Sequence, residues 1–344
     1  MGDEAECRAV LESYPQGCQP ARIEPWQSSS GFSGARLWRL QAPCGELCLR
    51  RWPAEYPPPE RLEFIQAVLW QVDQEGFHQV PVPHETLSHA GYVRHAGHLW
   101  ELTPWMPGVA DYRDDPRLEK LQAALTALAQ FHQAASSFPL PDGPLCASPG
   151  IDERRQRLAQ LKAAELKQLS SAIEPADWPE LALRARQLVE LFLRTCDRVE
   201  PLLDRAARLQ VPRQPCIRDV WHDHVLFHGD QVTGLVDFGS MRAESVAADV
   251  ARLLGSLAAD DPTHWQLGLA AYQAVRPLSG DELLLVTAFD RSSVLMSGLQ
   301  WVDWIYLQGR HFNSRPAVVA RLDEIIARLL HLVETHQLQW GERW

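Results

Sequence analysis

The hydrophobic period of the sequence changes once, close to residue 106, and this change restricts the folds open to the chain. Before it, apolar and polar residues alternate in segments such as ARLWRLQAPCGELCLRRW and GYVRHAGHLWELTPW, a pattern typical of β-hairpins. After it, long segments rich in Leu, Ala, Glu, Lys, Gln and Arg favour helix. We expect two domains, a strand-rich region at residues 1–106 and a mainly helical region at residues 107–344.

Each region contains one exception to its own pattern. In the first, PPPERLEFIQAVLWQV begins with proline and places Leu62, Ile65, Leu69 and Val72 on one face, which predicts a helix. In the second, RDVWHDHVLFHGDQVTGLVDFG at 218–239 alternates β-branched and aromatic residues around turn residues. The sequence therefore predicts a small sheet with one helix, and a short strand pair inside the helical region.

Composition excludes several classes of function. With 33 basic and 44 acidic residues the formal net charge is −11, and no dense basic segment is present, so we expect no nucleic-acid partner. The N-terminal residues lack a signal-peptide pattern, and no run of 18 apolar residues occurs, so we expect a cytoplasmic protein without a membrane partner. The seven cysteines are scattered without zinc-ligand spacing, which predicts ordinary reduced thiols.

Three residues of the strand-pair segment carry the chemistry. Asp219 and His224 precede the predicted hairpin, and Asp237 follows it in the triplet Asp-Phe-Gly. In phosphoryl transfer, an Asp orients a hydroxyl group and carboxylate-held metal ions bridge the phosphates. A loop with the first Asp, a hairpin and then a second Asp would supply both groups from neighbouring segments.

On these residues the chain resembles the aminoglycoside phosphotransferase and choline kinase-like family, relatives of the protein kinases. IRDVWHDHVLF corresponds to the catalytic loop of that family and LVDFG to its metal-binding triplet. The resemblance implies an α+β, bilobal protein kinase-like fold and transfer of the γ-phosphate of ATP to a hydroxyl of an aminoglycoside, amino alcohol or sugar-like molecule. It further implies Asp219 as the catalytic residue, Asp237 as a metal ligand, and Mg²⁺, or Mn²⁺, as the metal.

A second triplet, His-Gly-Asp at 228–230, resembles the signature of the same family but lies in the wrong place. Asp230 is only 7 residues before Asp237, too few for a loop and two strands. We therefore interpret Gly229 and Asp230 as the hairpin turn.

The chain departs from the family pattern at two positions. Ile217 replaces the His of the catalytic loop, and His224 occupies the position of a metal-binding Asn. Because Mg²⁺ prefers oxygen ligands, Asp223 could take over as a ligand, His224 could bind Mn²⁺, or Asp237 could hold the metal alone. Asp249, in ESVAADVARLLGSL, matches the Asp that braces the catalytic loop.

The resemblance also implies a nucleotide site in the first region. SSSGFSGARLWRL offers a hairpin tip whose glycines could approach phosphate oxygens. Arg50 aligns with the basic residue that pairs with phosphates, and its expected ion-pair partner is Glu63, with Glu60 as the alternative. LWELTPWMPG resembles the segment that receives adenine. The predicted nucleotide-binding residues are Gly31, Phe32, Ser33, Gly34, Arg50, Glu63, Glu101, Thr103 and Trp105.

The hydroxyl substrate is expected near the last helices. AFDRSSVLMSGLQWVDWIY carries carboxylates and indoles that could hold a cationic or sugar-like molecule. The candidates are Asp290, Trp301, Asp303 and Trp304, although core packing would also explain aromatic residues at helical spacing.

Two alternatives remain open from the sequence. Because of Ile217 and His224, the chain could be a pseudokinase that binds a nucleotide or metabolite without catalysis. A metal hydrolase built on His222, Asp223, His224 and His228 is the other alternative, although no third ligand or nucleophile-generating site is evident.

Overall fold

The alternating segments before residue 106 form a five-stranded antiparallel sheet, with strand order β1-β2-β3-β5-β4. The computed structural model describes residues 2–26, 34–141, 145–173, 178–312 and 314–334. The two predicted hairpins are present as β2–β3 and β4–β5. The strands of this sheet are β1 (Arg22–Trp26), β2 (Arg36–Ala42), β3 (Gly45–Arg51), β4 (Val93–His95) and β5 (His98–Pro104).

Helices dominate the rest of the described chain, as predicted. They are α1 (Gly2–Leu11), α2 (Pro59–Gln74), α3 (Leu118–Ala135), α4 (Pro149–Gln160), α5 (Leu166–Ala172), α6 (Pro179–Ala206), α7 (Ala247–Leu257), α8 (Pro262–Gln273), α9 (Gly280–Tyr306) and α10 (Arg315–Glu334). The remaining strands are β6 (Gln214–Cys216), β7 (Val225–His228), β8 (Gln231–Leu235) and β9 (Arg242–Glu244). None of the helices in these ranges is both long enough and apolar enough to span a membrane.

Contacts between Cα atoms divide the chain into two compact units. The first comprises Met1–Pro139, Ile217–Arg242 and Leu267–Arg276, and the second comprises the remaining segments. The first unit thus contains the sheet together with the Asp219 loop and the β7–β8 hairpin. The predicted domain boundary after residue 106 stays a prediction.

The core of the first unit lies between one face of the sheet and α1. Alternate residues of β2 and β3 are buried here together with Trp100 and Leu102 of β5, and the Trp38 and Trp100 rings stack with their centroids 5.3 Å apart. Val10, Leu11 and Tyr14 cover this face. The sequence predicted only one helix in this region, so α1 corrects that prediction. Its short segment of mixed polarity carries little periodic signal.

The β7–β8 hairpin is fastened to the segment that follows β5. Val109 and Phe227 exchange two backbone hydrogen bonds, and the Thr233 hydroxyl donates to the Pro107 carbonyl at 2.6 Å. The Leu235 amide donates to the Gln79 carbonyl at 2.8 Å. The hairpin turn falls at 229–230, as predicted, so Asp230 belongs to the turn.

The second unit is built from long helices. α6 packs against α9, α10 packs against both, and α7 packs against α9. Arg328 of α10 donates hydrogen bonds to the carboxylates of Asp260 and Asp290. Both ion pairs are largely buried, so they fix α10 against its neighbours.

Gly108 lies in close contact with the β7–β8 hairpin. Its φ is +100°, and an added Cβ would lie 2.7 Å from the Phe227 carbonyl oxygen and closer still to the Thr233 hydroxyl. Gly97 also has a positive φ, of +78°, but a Cβ there would meet nothing within 4 Å. Replacement at Gly97 therefore adds only conformational strain, of about 1–2 kcal/mol.

We expect Gly108→Ala to destabilise the protein more than Gly97→Ala, because it adds a steric conflict to the same type of strain. Urea-induced unfolding of both variants and the unchanged chain would measure this. Equal losses in the two variants would contradict the close approach of the segment to the hairpin.

Candidate active site

The loop that carries Asp219 is fixed by buried apolar neighbours. Ile217 and Val220 are fully buried, whereas Asp219 between them is partly exposed. Arg218 has a φ of +71°, a conformation that is unfavourable for a residue with a Cβ. Strain of this kind concentrates at functional sites, where the surrounding structure enforces it.

His224 joins this loop to the segment of Asp237. Its Nδ1 lies 2.8 Å from the Asp219 carbonyl oxygen, and its Nε2 lies 3.6 Å from the Asp237 Oδ2. The Val236 amide donates to the His224 carbonyl at 3.0 Å. The segments of Asp219 and Asp237 therefore meet at one imidazole ring.

The contacts of His224 determine its tautomer. The Trp221 indole N–H, which can only donate, points to Nε2 at 2.9 Å, and the Asp219 carbonyl, which can only accept, faces Nδ1. A neutral ring with its proton on Nδ1 satisfies both partners. The Nε2 lone pair thereby accepts the Trp221 N–H, so a metal ion at Nε2 would have to displace that donor.

Asp237 is held by charge and by backbone conformation. Its φ is +63°, and the following residue, Phe238, is buried against Phe131 at a centroid distance of 5.6 Å. Arg50 Nη1 donates to Asp237 Oδ1 at 3.2 Å. Burial favours protonation of this carboxyl, but the charge and hydrogen bond of Arg50 together with the other neighbouring donors outweigh it, so the pKa of Asp237 is lowered from its ordinary value. Asp237 is therefore a carboxylate at neutral pH.

Arg50 lies on β3 between two carboxylates. Besides Asp237, its Nε is 3.9 Å from Glu101 Oε1 on β5, directly opposite in the strand register. Its guanidinium also lies 4.6 Å from the centre of the Trp52 ring. The predicted pairing with Glu63 is wrong in this structure.

The position of Glu63 on α2 explains why it does not pair with Arg50. Glu63 is exposed and accepts a hydrogen bond from the Tyr92 hydroxyl at 2.9 Å. Gln66, one helical turn further on, is the buried polar residue of α2. The inward-facing position on this helix is therefore occupied by an amide instead of a carboxylate.

The remaining predicted nucleotide residues surround the end of β5. Thr103 lies opposite Cys48 in the register, and the Trp105 amide donates to the Glu46 carbonyl at 2.9 Å. The Trp105 ring contacts Trp26 at 5.0 Å. Gly34 has a φ of +70° just before β2, whereas Gly31, Phe32 and Ser33 lie outside the described residues. Their assignment as nucleotide-binding residues stays a prediction.

Of the three predicted metal ligands, Asp237 and His224 lie together, with Asp237 Oδ2 3.6 Å from His224 Nε2, and their role as ligands stays a prediction. Asp223, the third predicted ligand, has its Oδ1 3.3 Å from His222 Nε2. Within the described residues, Asp223 does not form a group of three close ligand atoms with Asp237 and His224. A carboxylate oxygen suits Mg²⁺ or Mn²⁺, and an imidazole nitrogen is a poorer ligand for Mg²⁺.

The other predicted site residues belong to the second unit. Asp249 is fully buried in α7, and Asp290 is buried against Arg328. The Trp301 and Trp304 rings contact each other at 5.3 Å, and Asp303 accepts hydrogen bonds from Gln300 and Gln308. Their roles in catalysis or substrate binding stay predictions.

Sequence reasoning missed two residues of the site. Trp221 lies inside the quoted loop, and its indole is the donor that fixes His224. Gln66 lies inside the predicted helix and reaches Glu101. A buried helix position with a polar side chain is the signal that would have identified Gln66, since such groups need hydrogen-bond partners.

Comparison with solved structures establishes the fold. A spectinomycin phosphotransferase in complex with ADP and spectinomycin matches this chain with a TM-score of 0.67 and 12% identity, over 91% of this chain and 94% of that one. The predicted fold class, α+β and protein kinase-like, is thereby confirmed.

Sequence comparison gives the family. The model of the phosphotransferase enzyme family matches residues 27–283, so the chain belongs to that family. A homoserine kinase of Chelativorans sp. (strain BNC1) is 28% identical over 189 residues, 52% of this chain and 50% of that protein. A homoserine kinase of Methylocella silvestris is 25% identical over 260 residues, 71% of this chain and 70% of that protein. The chain thus matches about half the length of the first relative.

The tautomer of His224 can be measured directly. We expect long-range ¹⁵N–¹H spectra at neutral pH to show His224 with its proton on Nδ1, assigned by the loss of that signal in His224→Asn. In Trp221→Phe the donor to Nε2 is removed, and we expect a population with the proton on Nε2. A wild-type ring protonated on Nε2 would contradict the arrangement.

Proposed function

We propose that the chain is an ATP-dependent kinase that transfers the γ-phosphate to a hydroxyl group of a small molecule. The junction at His224 carries this proposal, because it connects the Asp219 backbone to the Asp237 carboxylate. Membership of the phosphotransferase enzyme family supports it. Phosphoryl transfer needs an oriented hydroxyl beside charge-neutralising groups, and this pair of carboxylates can supply both requirements.

In this proposal Asp219 orients the acceptor hydroxyl and takes its proton. The side chain is partly exposed, so an acceptor can reach it, while the loop backbone is held by buried Ile217 and Val220. A positioned base of this kind contributes roughly 10²- to 10⁴-fold to a rate. Asp249 is proposed to brace the loop.

Asp237 would hold the metal ion, and His224 would join it where the ion displaces the Trp221 N–H from Nε2. A bound divalent ion neutralises charge on the phosphate oxygens. The lowered pKa of Asp237 keeps its carboxylate ready to bind a cation at neutral pH. Arg50 offers several N–H donors in a planar fork, so it can contact Asp237 and a phosphate oxygen together.

Homoserine is the acceptor we propose to test first, because the curated relatives that match are homoserine kinases. Trp301, Asp303 and Trp304 are retained as proposed acceptor contacts. Asp290 is engaged by Arg328, which favours a structural role for it. A cytoplasmic location also stays a prediction.

The two alternatives from the sequence receive less support. The pseudokinase alternative depended partly on His224, yet this ring provides one nitrogen to the Asp219 carbonyl and one toward Asp237. For the hydrolase, His222, Asp223, His224 and His228 do not form a group of three close ligand atoms within the described ranges.

Asp219→Asn should lower turnover by about 10²- to 10⁴-fold, because the amide cannot accept the hydroxyl proton. ADP release from ATP and Mg²⁺ or Mn²⁺, with homoserine, amino alcohols and aminoglycosides as acceptors, measures turnover, and calorimetry should show unchanged ATP affinity. Asp230→Asn, in the hairpin turn, is the matched control and should remain active. Inactivity of Asp230→Asn with an active Asp219→Asn would reverse the assignment.

His224→Asn should raise the Mg²⁺-supported rate relative to the Mn²⁺-supported rate, because it replaces a nitrogen ligand by an oxygen ligand. The ratio of kcat/KM values with the two metals measures this change. His228→Asn, on the exposed part of β7, serves as the control. An unchanged ratio in His224→Asn would remove His224 from the metal site.

A further inference from the structure

A chain of buried polar groups leads from α2 to Asp237. Gln66 is 1% exposed and Glu101 is 8% exposed. Gln66 Nε2 donates to the Gly91 carbonyl at 2.9 Å and to Glu101 Oε2 at 3.2 Å. A side-chain amide has two N–H donors, so both of them are used.

Gly91 fixes the position of the Gln66 amide. A Cβ at residue 91 would lie 2.7 Å from Gln66 Cδ and 2.9 Å from Trp70 Cη2. A side chain at residue 91 would therefore displace Gln66. This backbone approach leaves the amide little freedom, because the contacts on both sides are closely packed.

Glu101 connects the Gln66 amide to Arg50. The two residues are direct cross-strand partners on β5 and β3, and Glu101 Oε1 is 3.9 Å from Arg50 Nε. Arg50 in turn donates to Asp237 at 3.2 Å. The guanidinium thus has a carboxylate on each side, and the Trp52 ring lies against it. Each group in the chain limits the freedom of the next.

We propose that Gln66 is a positioning residue for nucleotide binding, which acts through Glu101 to hold Arg50 at the triphosphate. Gln66 and Glu101 together position Arg50, a role that the sequence analysis predicted for Glu63. The inference rests on the proposed kinase function. Gln66 contacts neither substrate nor metal in this proposal, and Arg50 is the group that contacts phosphate.

The electrostatics of Glu101 give the physical reason. Burial raises the pKa of Glu101, and Arg50 together with the Gln66 donor acts in the opposite direction. Loss of the Gln66 donor would favour the neutral form of Glu101. Asp237 would then remain the main carboxylate partner of Arg50. Arg50 would compete with the metal ion for the Asp237 carboxylate, and it would move away from the phosphates.

The test replaces Gln66 by Met, which has similar length but no N–H donor. We expect KM for ATP to rise about tenfold, equivalent to about 1.4 kcal/mol, while KM for the acceptor stays unchanged. The matched control is Gln71→Met on the same helix, where the amide donates to the exposed Ser137 hydroxyl. This control should leave both constants unchanged.

Gly91→Ala provides an independent variant, because it displaces the amide without removing it. It should raise KM for ATP in the same direction, and the double variant should cost less than the sum of the two single effects. Melting temperatures show whether a variant has lost stability, which separates a general folding defect from a specific effect on KM for ATP. Lower stability with an unchanged KM for ATP, or strictly additive effects, would overturn the proposal.

ATP affinity by calorimetry separates this inference from the proposed function. If no acceptor supports turnover but Gln66→Met weakens ATP binding about tenfold and Gln71→Met does not, the kinase proposal fails and the positioning role stands. If turnover occurs and ATP affinity is equal in all three proteins, the positioning role fails alone.

Discussion

The partly buried guanidinium of Arg50 is the constraint on which the proposed nucleotide half of the site depends. A charged group removed from water is costly unless carboxylates compensate it. Glu101 and Asp237 provide this compensation from two sides, at 3.9 Å and 3.2 Å. Because Asp237 comes from a segment far along the sequence, this requirement ties the Asp-Phe-Gly segment to the sheet of the first unit. A phosphate oxygen would meet a cation whose position is already fixed.

The second constraint is the β7–β8 hairpin, which connects the segments of Asp219 and Asp237, the proposed catalytic residue and metal ligand. The loop with Asp219 enters the hairpin and Asp237 leaves it, so the hairpin places the ends of both segments side by side. Val109 and Thr233 fasten the hairpin to the chain after β5. Its position is therefore fixed relative to the strands that carry Arg50. This explains why a short strand pair interrupts a region of helical sequence.

The sequence predicted the strands, the long helices and the hairpin turn, because their periodicity and turn residues are local signals. The prediction that Glu63 pairs with Arg50 was wrong. Which residue of α2 faces the sheet depends on how the helix is rotated, and the sequence of the helix does not contain this information. The sequence also failed to name Trp221, whose role appears only once its indole lies beside His224. The register that places Arg50 opposite Glu101 is a tertiary fact that no single segment contains. Asp219 and Asp237 could be proposed from the sequence because the order of a loop, a hairpin and a triplet is itself sequential.

His224 shows how a site can keep its geometry after a change of residue type. An amide side chain combines an N–H donor with a carbonyl acceptor, and a neutral imidazole has the same pair of functions on its two nitrogens. Here Nδ1 faces the Asp219 carbonyl and Nε2 faces Asp237. The donor and acceptor functions of an Asn are thus reproduced, but the atom that would serve as the proposed metal ligand is nitrogen instead of oxygen. In the proposed metal site, the histidine would therefore preserve the position of the loop while altering the preference for the metal ion.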